Sequence, residues 1–320
     1  MSKPSRIYVI GSLNADLVQS VPRLPRGGET LQGGGLRTFA GGKGGNQAFA
    51  AARMGGSVSM IGKLGNDSFG VVLLESLRSA GVNTERVASV EGSSGTAMIL
   101  VLPNGENAIV ISPGANATLT PGEAEQRLEG ITAARLLLCQ LEIPHETVAH
   151  SLAAAKRKAA TTILDPAPAH ADCLAMLPYV DFLTPNETEA LLLLGRDGTI
   201  DDDAQAQQAA RELHQRGAAT VVLKLGRRGC CIVNQEISAI VPGYEVTAVD
   251  TTAAGDTFNG AFACALDQGK PLLEAARFAN AAGALSVTRP GAQSSIPTLA
   301  EVEQFLQRAN AFPSPLTRPG

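Results

Sequence analysis

From about residue 131 onward, short apolar runs alternate with segments of helical periodicity. Residues 135–140 predict a strand and 145–158 a helix; 161–164 and 181–183 predict two more strands, with a helix at 187–194 after the second. A helix at 204–216 is closed by Gly217, as a glycine just past a helix end would do, and 220–225 is again strand-like. Alternation of this kind builds a mostly parallel sheet with helices on both faces, an α/β three-layer αβα arrangement. Ligands of such sheets bind beyond the carboxyl ends of the strands. Glu142, Asp165, Asn186, and Lys224 with Gly226 all fall at those ends and describe one rim.

The first third follows another pattern. Residues 7–10 form a strand, 28–45 are glycine-rich without helical periodicity, and helices are predicted at 46–54 and 69–80. Two apolar runs, 97–102 and 108–111, flank Pro103-Asn104-Gly105-Glu106, an Asn-Gly hairpin signal. These pieces have no crossover helix of their own and predict a small β-sheet flap on the main sheet. The end, 312–320, carries three prolines and predicts a loose tail.

Composition narrows the classes. With 320 residues, 44% hydrophobic and 18% charged, the chain reads as globular, with one large domain or a large domain plus an appendage. A formal net charge of −4 removes the overall electrostatic case for nucleic acid as a partner. No apolar run approaches the ~20 residues that span a bilayer, so no membrane partner is expected. The N-terminus has Lys3 and Arg6, but its apolar stretch is too short for a signal peptide. Five cysteines without a C-x-x-C pair suggest neither a zinc site nor a disulfide framework, which points to a reducing cytoplasm. His145 and His150 imitate a zinc-protease motif, but their i, i+5 spacing turns the second imidazole off the shared helical face.

Three stretches carry the chemistry. In 251–260 small residues lead to Asp256 and then to a helix-forming run. Free N–H groups and the positive dipole end make a helix start attractive to anions, and an Asp there can take a proton. The competing reading is an N-capping Asp after a glycine turn. The second stretch, Phe39-Ala40-Gly41-Gly42-Lys43-Gly44-Gly45-Asn46-Gln47, matches neither the P-loop nor G-x-G-x-x-G, but its glycines allow close backbone approach while Lys43 and Asn46 offer donors to a polyhydroxylated ligand. The third is Asn14 and Asp16, two apart at the end of the first strand. On extended backbone they share one side, an amide and a carboxylate suited to vicinal hydroxyls.

Taken in order, Asn14/Asp16, Gly41 to Gly44 with Asn46, Thr184-Pro185-Asn186-Glu187-Thr188-Glu189, Leu225-Gly226-Arg227-Arg228-Gly229 and Ala253-Ala254-Gly255-Asp256 closely resemble the ribokinase family of sugar kinases. The resemblance covers residues 6 to 310 and implies one kinase domain over 1–310, with lid segments at about 12–45 and 95–112, and a loose tail at 311–320. It implies ATP-dependent phosphorylation of a sugar's primary hydroxyl, which for D-ribose is the 5-hydroxyl. Asp256 would be the general base and the amides of Ala253, Ala254 and Gly255 the anion hole. Asn14, Asp16, Gly42, Lys43, Asn46 and Glu142 match sugar-holding positions. Asn186 and Glu189 match the motif that organises Mg²⁺ and its waters. Lys224, Gly226, Arg227, Gly229 and Asn280 match the nucleotide-binding segment, with the departure that Lys224 stands where Thr is usual and Arg227 replaces a smaller residue.

The resemblance also implies a monovalent cation, usually K⁺, at Asp250, Thr252, Ser286, Arg289, Gly291 and Ser295, and a homodimer formed through the lids. The acceptor stays open at this point between ribose and another small sugar or nucleoside, such as deoxyribose, fructose or a keto-deoxy sugar acid. A non-catalytic sugar-binding regulator is the alternative from another class; loss of Asp256 or of the small residues before it would signal that, and both are intact.

Overall fold

The computed structural model describes residues 5–129 and 135–311; the expected tail at 312–320 and Lys3 lie outside the described residues. The chain begins with β1 (Ile7–Ile10), β2 (Asn14–Ser20), β3 (Arg37–Gly41), α1 (Lys43–Arg53), β4 (Val58–Gly65), α2 (Ser68–Ser79), β5 (Val87–Val90), β6 (Gly95–Val101) and β7 (Asn107–Ser112). After a 3₁₀ turn at Gly114–Thr118 come α3 (Pro121–Arg127), β8 (Leu136–Cys139), α4 (His145–Arg157), β9 (Thr161–Leu164), β10 (Phe182–Leu183), α5 (Glu187–Leu194), α6 (Asp203–Gln215) and β11 (Thr220–Lys224). The last part gives β12 (Gly229–Val233), β13 (Ser238–Pro242), α7 (Ala254–Asp267), α8 (Leu272–Ser286) and α9 (Leu299–Ala311).

Nine strands form one sheet in the order β13-β12-β11-β10-β9-β8-β1-β4-β5. The pairings from β5 through to β11 are parallel, and β12 and β13 add an antiparallel edge. Strand β1 shows why the sheet is covered on both sides. Ile7 and Val9 enter one core with Ala48, Leu77, Phe262 and Ala279 of α1, α2, α7 and α8. Tyr8 and Ile10 enter the other with Ala124, Val148, Ala190 and Leu213 of α3 to α6. Side chains alternate along a strand, so a continuous apolar run feeds two cores at once. The expected three-layer architecture is the observed one.

The hairpin lies where expected, with Thr96 opposite Ser112 and Val101 opposite Asn107. It joins β2 and β3 in a second sheet of order β3-β2-β6-β7, in which β2 runs parallel to β6. Only residues 11–13 separate β1 from β2, so the small sheet is rooted at the carboxyl end of β1. One boundary needs correcting. The helix expected from 46 begins at Lys43, because Gly42 at φ 81° turns the chain directly from β3 into α1. The glycines 44 and 45 are therefore helical and not loop. Gly44 sits there because a Cβ would lie 2.6 Å from the Gly11 carbonyl carbon.

Candidate active site

Three chain turns meet above the sheet: the starts of α1 and α7 and the loop after β8. Helix α7 starts from Ala253, which takes the left-handed conformation at φ 58° and leaves Asp256 inside the first turn. The N-cap reading of Asp256 is thereby excluded; its carboxylate accepts from side chains across the site. Asn46 Nδ2 donates to Oδ2 at 3.0 Å and Gln47 Nε2 to Oδ1 at 2.9 Å. A carboxylate has about four acceptor sites, so capacity remains for a further donor. Burial pushes the Asp256 pKa up, opposed by the Lys43 charge and reinforced by Asp165, while the two amide hydrogen bonds pull it back. The overall direction is upward, as suits a group that must accept a proton near neutral pH.

Towards the small sheet stands a second group. Asn14 and Asp16 share one side of β2, as their spacing predicts, and both are buried. A Cβ on Gly41 would fall 2.1 Å from Asp16 Oδ2, so only glycine fits opposite that carboxylate. Glu142 Oε2 accepts from Ser12 Oγ at 2.5 Å, from the Lys43 backbone N–H at 3.2 Å and from Asn14 Nδ2 at 3.5 Å. Asn116, which the sequence did not flag, donates to Asn14 Oδ1 at 2.7 Å and fixes that amide's orientation. Asn46 Oδ1 is buried with no partner among the described residues, an acceptor that a ligand hydroxyl would satisfy. Burial, with Glu142 and Asp256 nearby, raises the Asp16 pKa to about 7. Burial works against the Lys43 ammonium, yet Asp256, Asp165, Glu142 and Glu189 surround it and hold its pKa above the usual lysine value.

The third group lines an open cleft of about 300 Å³ bounded by Lys43, Asp165, Asn186, Glu189, Lys224, Gly226 and the turn 253–256. Lys224 Nζ donates to Asp165 Oδ1 at 2.8 Å and lies 3.5 Å from where a Gly255 Cβ would be, against the start of α7. The departure from Thr at position 224 thus comes with a buried carboxylate to pair it. Asn186 caps α5 and exchanges hydrogen bonds of 2.8 Å with Glu189, side chain to backbone in both directions. Glu189 is thus a first-turn acid of α5, where the helix dipole favours it, and the pair borders the cleft. Burial raises the Glu189 pKa against the pull of Lys224. Carboxylate and amide oxygens of this kind suit Mg²⁺, which takes few protein ligands and keeps its waters.

The remaining nucleotide-segment residues are spread along one edge. Gly226 and Arg227 form a short 3₁₀ turn, and Gly229, at φ 96°, packs so closely that a Cβ would lie 2.2 Å from the Val241 carbonyl oxygen. The Asn280 amide donates to the Val241 and Pro242 carbonyls at 3.0 and 3.2 Å and so braces β13.

Beside α7, the Asp250 carboxylate accepts from the Thr252 and Gly291 N–H groups at 2.9 and 2.8 Å, tying 250–252 to 286–295. Burial raises its pKa, but these N–H donors outweigh that and hold it below the usual carboxylate value. The Ser286 and Ser295 hydroxyls donate to the nearby Gly283 and Ala292 carbonyls. Arg289 turns its guanidinium to Glu301 at 2.6 Å, so its backbone carbonyl is what it has to offer a cation. The Asp250 carboxylate, the two hydroxyls and the backbone carbonyls supply oxygen donors of the kind a hard monovalent cation takes.

Sequence reasoning missed three buried contributors: Ser12, Gln140 and Asn116. It saw Gln47 and Asp165 only as members of a run and a rim. Gln47 Nε2 reaches Asp165 Oδ2 at 2.8 Å as well as Asp256. Short polar residues inside apolar runs were the available signal. The histidines resolve simply: His145 meets Asp172 and His150 meets Glu125, at separate places.

Comparison with known proteins bears on this geometry. The pattern of the pfkB family carbohydrate kinases matches residues 4–299. The chain belongs to this family. A ribokinase of Haemophilus influenzae is 42% identical over 304 residues, covering 95% of this chain and 99% of the relative. A Thermotoga maritima ribokinase structure superposes with TM-score 0.85 at 40% identity, covering 95% of this chain and all (100%) of that one. An Arabidopsis thaliana ribokinase structure, complexed with ribose and ATP, gives TM-score 0.85 at 32% identity, covering 95% and 99%. The chain is accordingly a sugar kinase.

Proposed function

We propose that this chain phosphorylates D-ribose on its 5-hydroxyl with ATP, and that the observation carrying this reading is Asp256 seated between the start of α7 and the polar wall of Asn14, Asp16, Asn46 and Glu142. Asp16, Glu142 and the Asn46 Oδ1 left unpartnered among the described residues accept from ring hydroxyls, and Asn14 donates. The 5-hydroxyl points at Asp256, which takes its proton as the oxygen attacks the γ-phosphorus and the bond to the β,γ-bridging oxygen breaks, releasing ADP. The amides of Ala253, Ala254 and Gly255 hold the charge on the transferring group, with Lys43 between the two substrates. Lys224 and the turn with Gly226, Arg227 and Gly229 receive the nucleotide, whose edge Asn280 supports. Asn186 and Glu189 would hold Mg²⁺ through its waters, and the ion would supply charge neutralisation at the phosphates. Asp250, Thr252, Ser286, Arg289, Gly291 and Ser295 would hold K⁺, which would stiffen the 251–256 turn.

The small sheet serves as a lid that keeps water from the phosphoryl group. Its face away from Asp16 carries Met98 and Val110, exposed by 40% and 67%, while Ile109 and Ile111 stand on the Asp16 side. A sheet face of this composition supports pairing with the lid of a second copy. Among the described residues no helix is long and apolar enough to cross a membrane, and the five cysteines are free and buried. Both features fit a reducing cytoplasm.

ADP release measured with a panel of sugars, with and without K⁺, tests the reading. Ribose should give the highest kcat/KM, and Asp256→Asn should lower kcat by ~10²–10⁴-fold. Better turnover of deoxyribose, fructose or a nucleoside would change the acceptor while keeping the chemistry. Absence of sugar-dependent ADP release from folded protein would overturn the kinase assignment.

A further inference from the structure

Behind Asp256 a chain of hydrogen bonds runs from the buried Gln140 to Lys224 at the open cleft. Lys224 Nζ donates to Asp165 Oδ1 at 2.8 Å, and Gln47 Nε2 donates to Asp165 Oδ2 at 2.8 Å and to Asp256 Oδ1 at 2.9 Å. One amide nitrogen, with its two protons, thus bridges two carboxylates. Gln140 Nε2 donates in turn to Gln47 Oε1 at 2.5 Å. Gln47 and Gln140 are fully buried, Asp165 nearly so.

The arrangement has one productive orientation. Were the Gln47 amide to flip, its carbonyl oxygen would face both carboxylates, and its NH₂ would face the NH₂ of Gln140. The flip would lose both donations to carboxylates and the bond from Gln140 at once. The Gln140 Oε1, buried without a partner among the described residues, occupies the space a Cβ at Gly11 would take, 1.9 Å from that point. Gln47 also lies on α1 directly after Asn46, so one helical turn supplies both donors to Asp256. Water is excluded here, so an unmade bond to a carboxylate is costly.

We propose that Gln47 is a positioning residue for the general base: locked by Gln140, it aims the Asp256 carboxylate at the acceptor hydroxyl and links it through Asp165 to Lys224 at the phosphate side. This rests on the reading of Asp256 as the base. Through the link, the carboxylate that takes the proton and the ammonium that lines the phosphate cleft are held at a fixed separation. Neither Gln47 nor Gln140 is assigned contact with substrate.

Gln47→Met removes both donations with little change in shape, Gln47→Glu replaces the donor by a third carboxyl, and Gln140→Met removes only the lock. Loss of a hydrogen bond to the charged form raises a carboxyl pKa. The expected result is a kcat lower by ~10–100-fold in Gln47→Met with sugar and ATP KM within ~3-fold, the split that marks loss of an interaction used in the transition state. The acid limb of the kcat profile should move to higher pH, furthest in Gln47→Glu, and Gln140→Met should show the same changes at smaller size. A carbon-13 carboxyl titration of labelled Asp256, in parent and variants without substrates, reads the same shift independently of turnover. An Asp256 titration unmoved in folded Gln47→Met, Gln47→Glu and Gln140→Met overturns the proposal, whatever happens to thermal stability. A titration that moves while kcat stays within ~2-fold of the parent overturns it as well. Failure of the kinase reading shows differently, as a parent protein without sugar-dependent ADP release; the titration still decides Gln47 in that case.

Discussion

Asp16, proposed to hold the sugar, shows what a buried carboxylate costs at the scale of one residue. Its pKa of about 7 in the folded protein lies well above the ordinary 3.8, through burial first and then through Glu142 and Asp256. The folded state therefore holds a proton that the unfolded chain has released between those values, so stability falls as pH rises from about 4 to about 7. Asp16→Asn removes the buried charge. The variant should melt a few degrees above the parent at pH 8, and the gap should close as pH falls through 7 towards 4, as followed by thermal scans. Sugar KM should rise in the same variant by ~10-fold or more, because an amide cannot replace both acceptor oxygens. Parent kcat/KM for sugar should likewise fall below about pH 7 as Asp16 protonates.

At the scale of elements, α1 and α7 matter most, since each brings its first turn to the site. They pack closely: a Cβ on Gly260 would lie 2.6 Å from Ala50 Cβ and from the Gln47 carbonyl oxygen. Gly260→Ala should thus lower stability by about 1–3 kcal/mol, measured by denaturant unfolding, and should lower kcat as well by displacing Gln47 from Asp256. The lid is tested at its outward face. On the proposed pairing of lids, the parent should sediment as a dimer and Val110→Asp as a monomer, with a higher sugar KM. These elements differ in how far the sequence betrays them. The parallel strands and the hairpin were legible because each is a short apolar run closed by turn residues. The partner strands β2 and β3 were not, since Asn14–Ser20 and Arg37–Gly41 are polar or glycine-rich and acquire their strand form only by pairing. The β12–β13 edge escaped for a similar reason, because the alternation rule leads one to expect a crossover helix there. The start of α1 was hidden by its glycines, which disfavour a helix until close packing against Gly11 and Leu13 requires them.

For the whole molecule, the site joins distant parts of the chain: Asn46 to Asp256 spans 210 positions and Ser12 to Glu142 spans 130. Motif order could reveal which residues belong together, but not the buried partners Gln140 and Asn116, which look like stray polar residues in a core. The loops 250–252 and 286–295 add a further long-range tie through Asp250 and Gly291. Asp250→Ala should abolish activation by K⁺ in the ADP-release assay and lower turnover to the K⁺-free level of the parent. Melting temperature should drop by only a few degrees, since Asp250 is partly exposed.

Ala253 has a longer reach than its size suggests. An alanine held at φ 58° costs about 1–2 kcal/mol relative to glycine, and the fold sustains it. The same side chain narrows the shapes open to the turn when no nucleotide is present. An arriving phosphate then finds fewer disordered alternatives to suppress, and the entropy of shaping its cradle is lost once, during folding, and not again in every catalytic cycle.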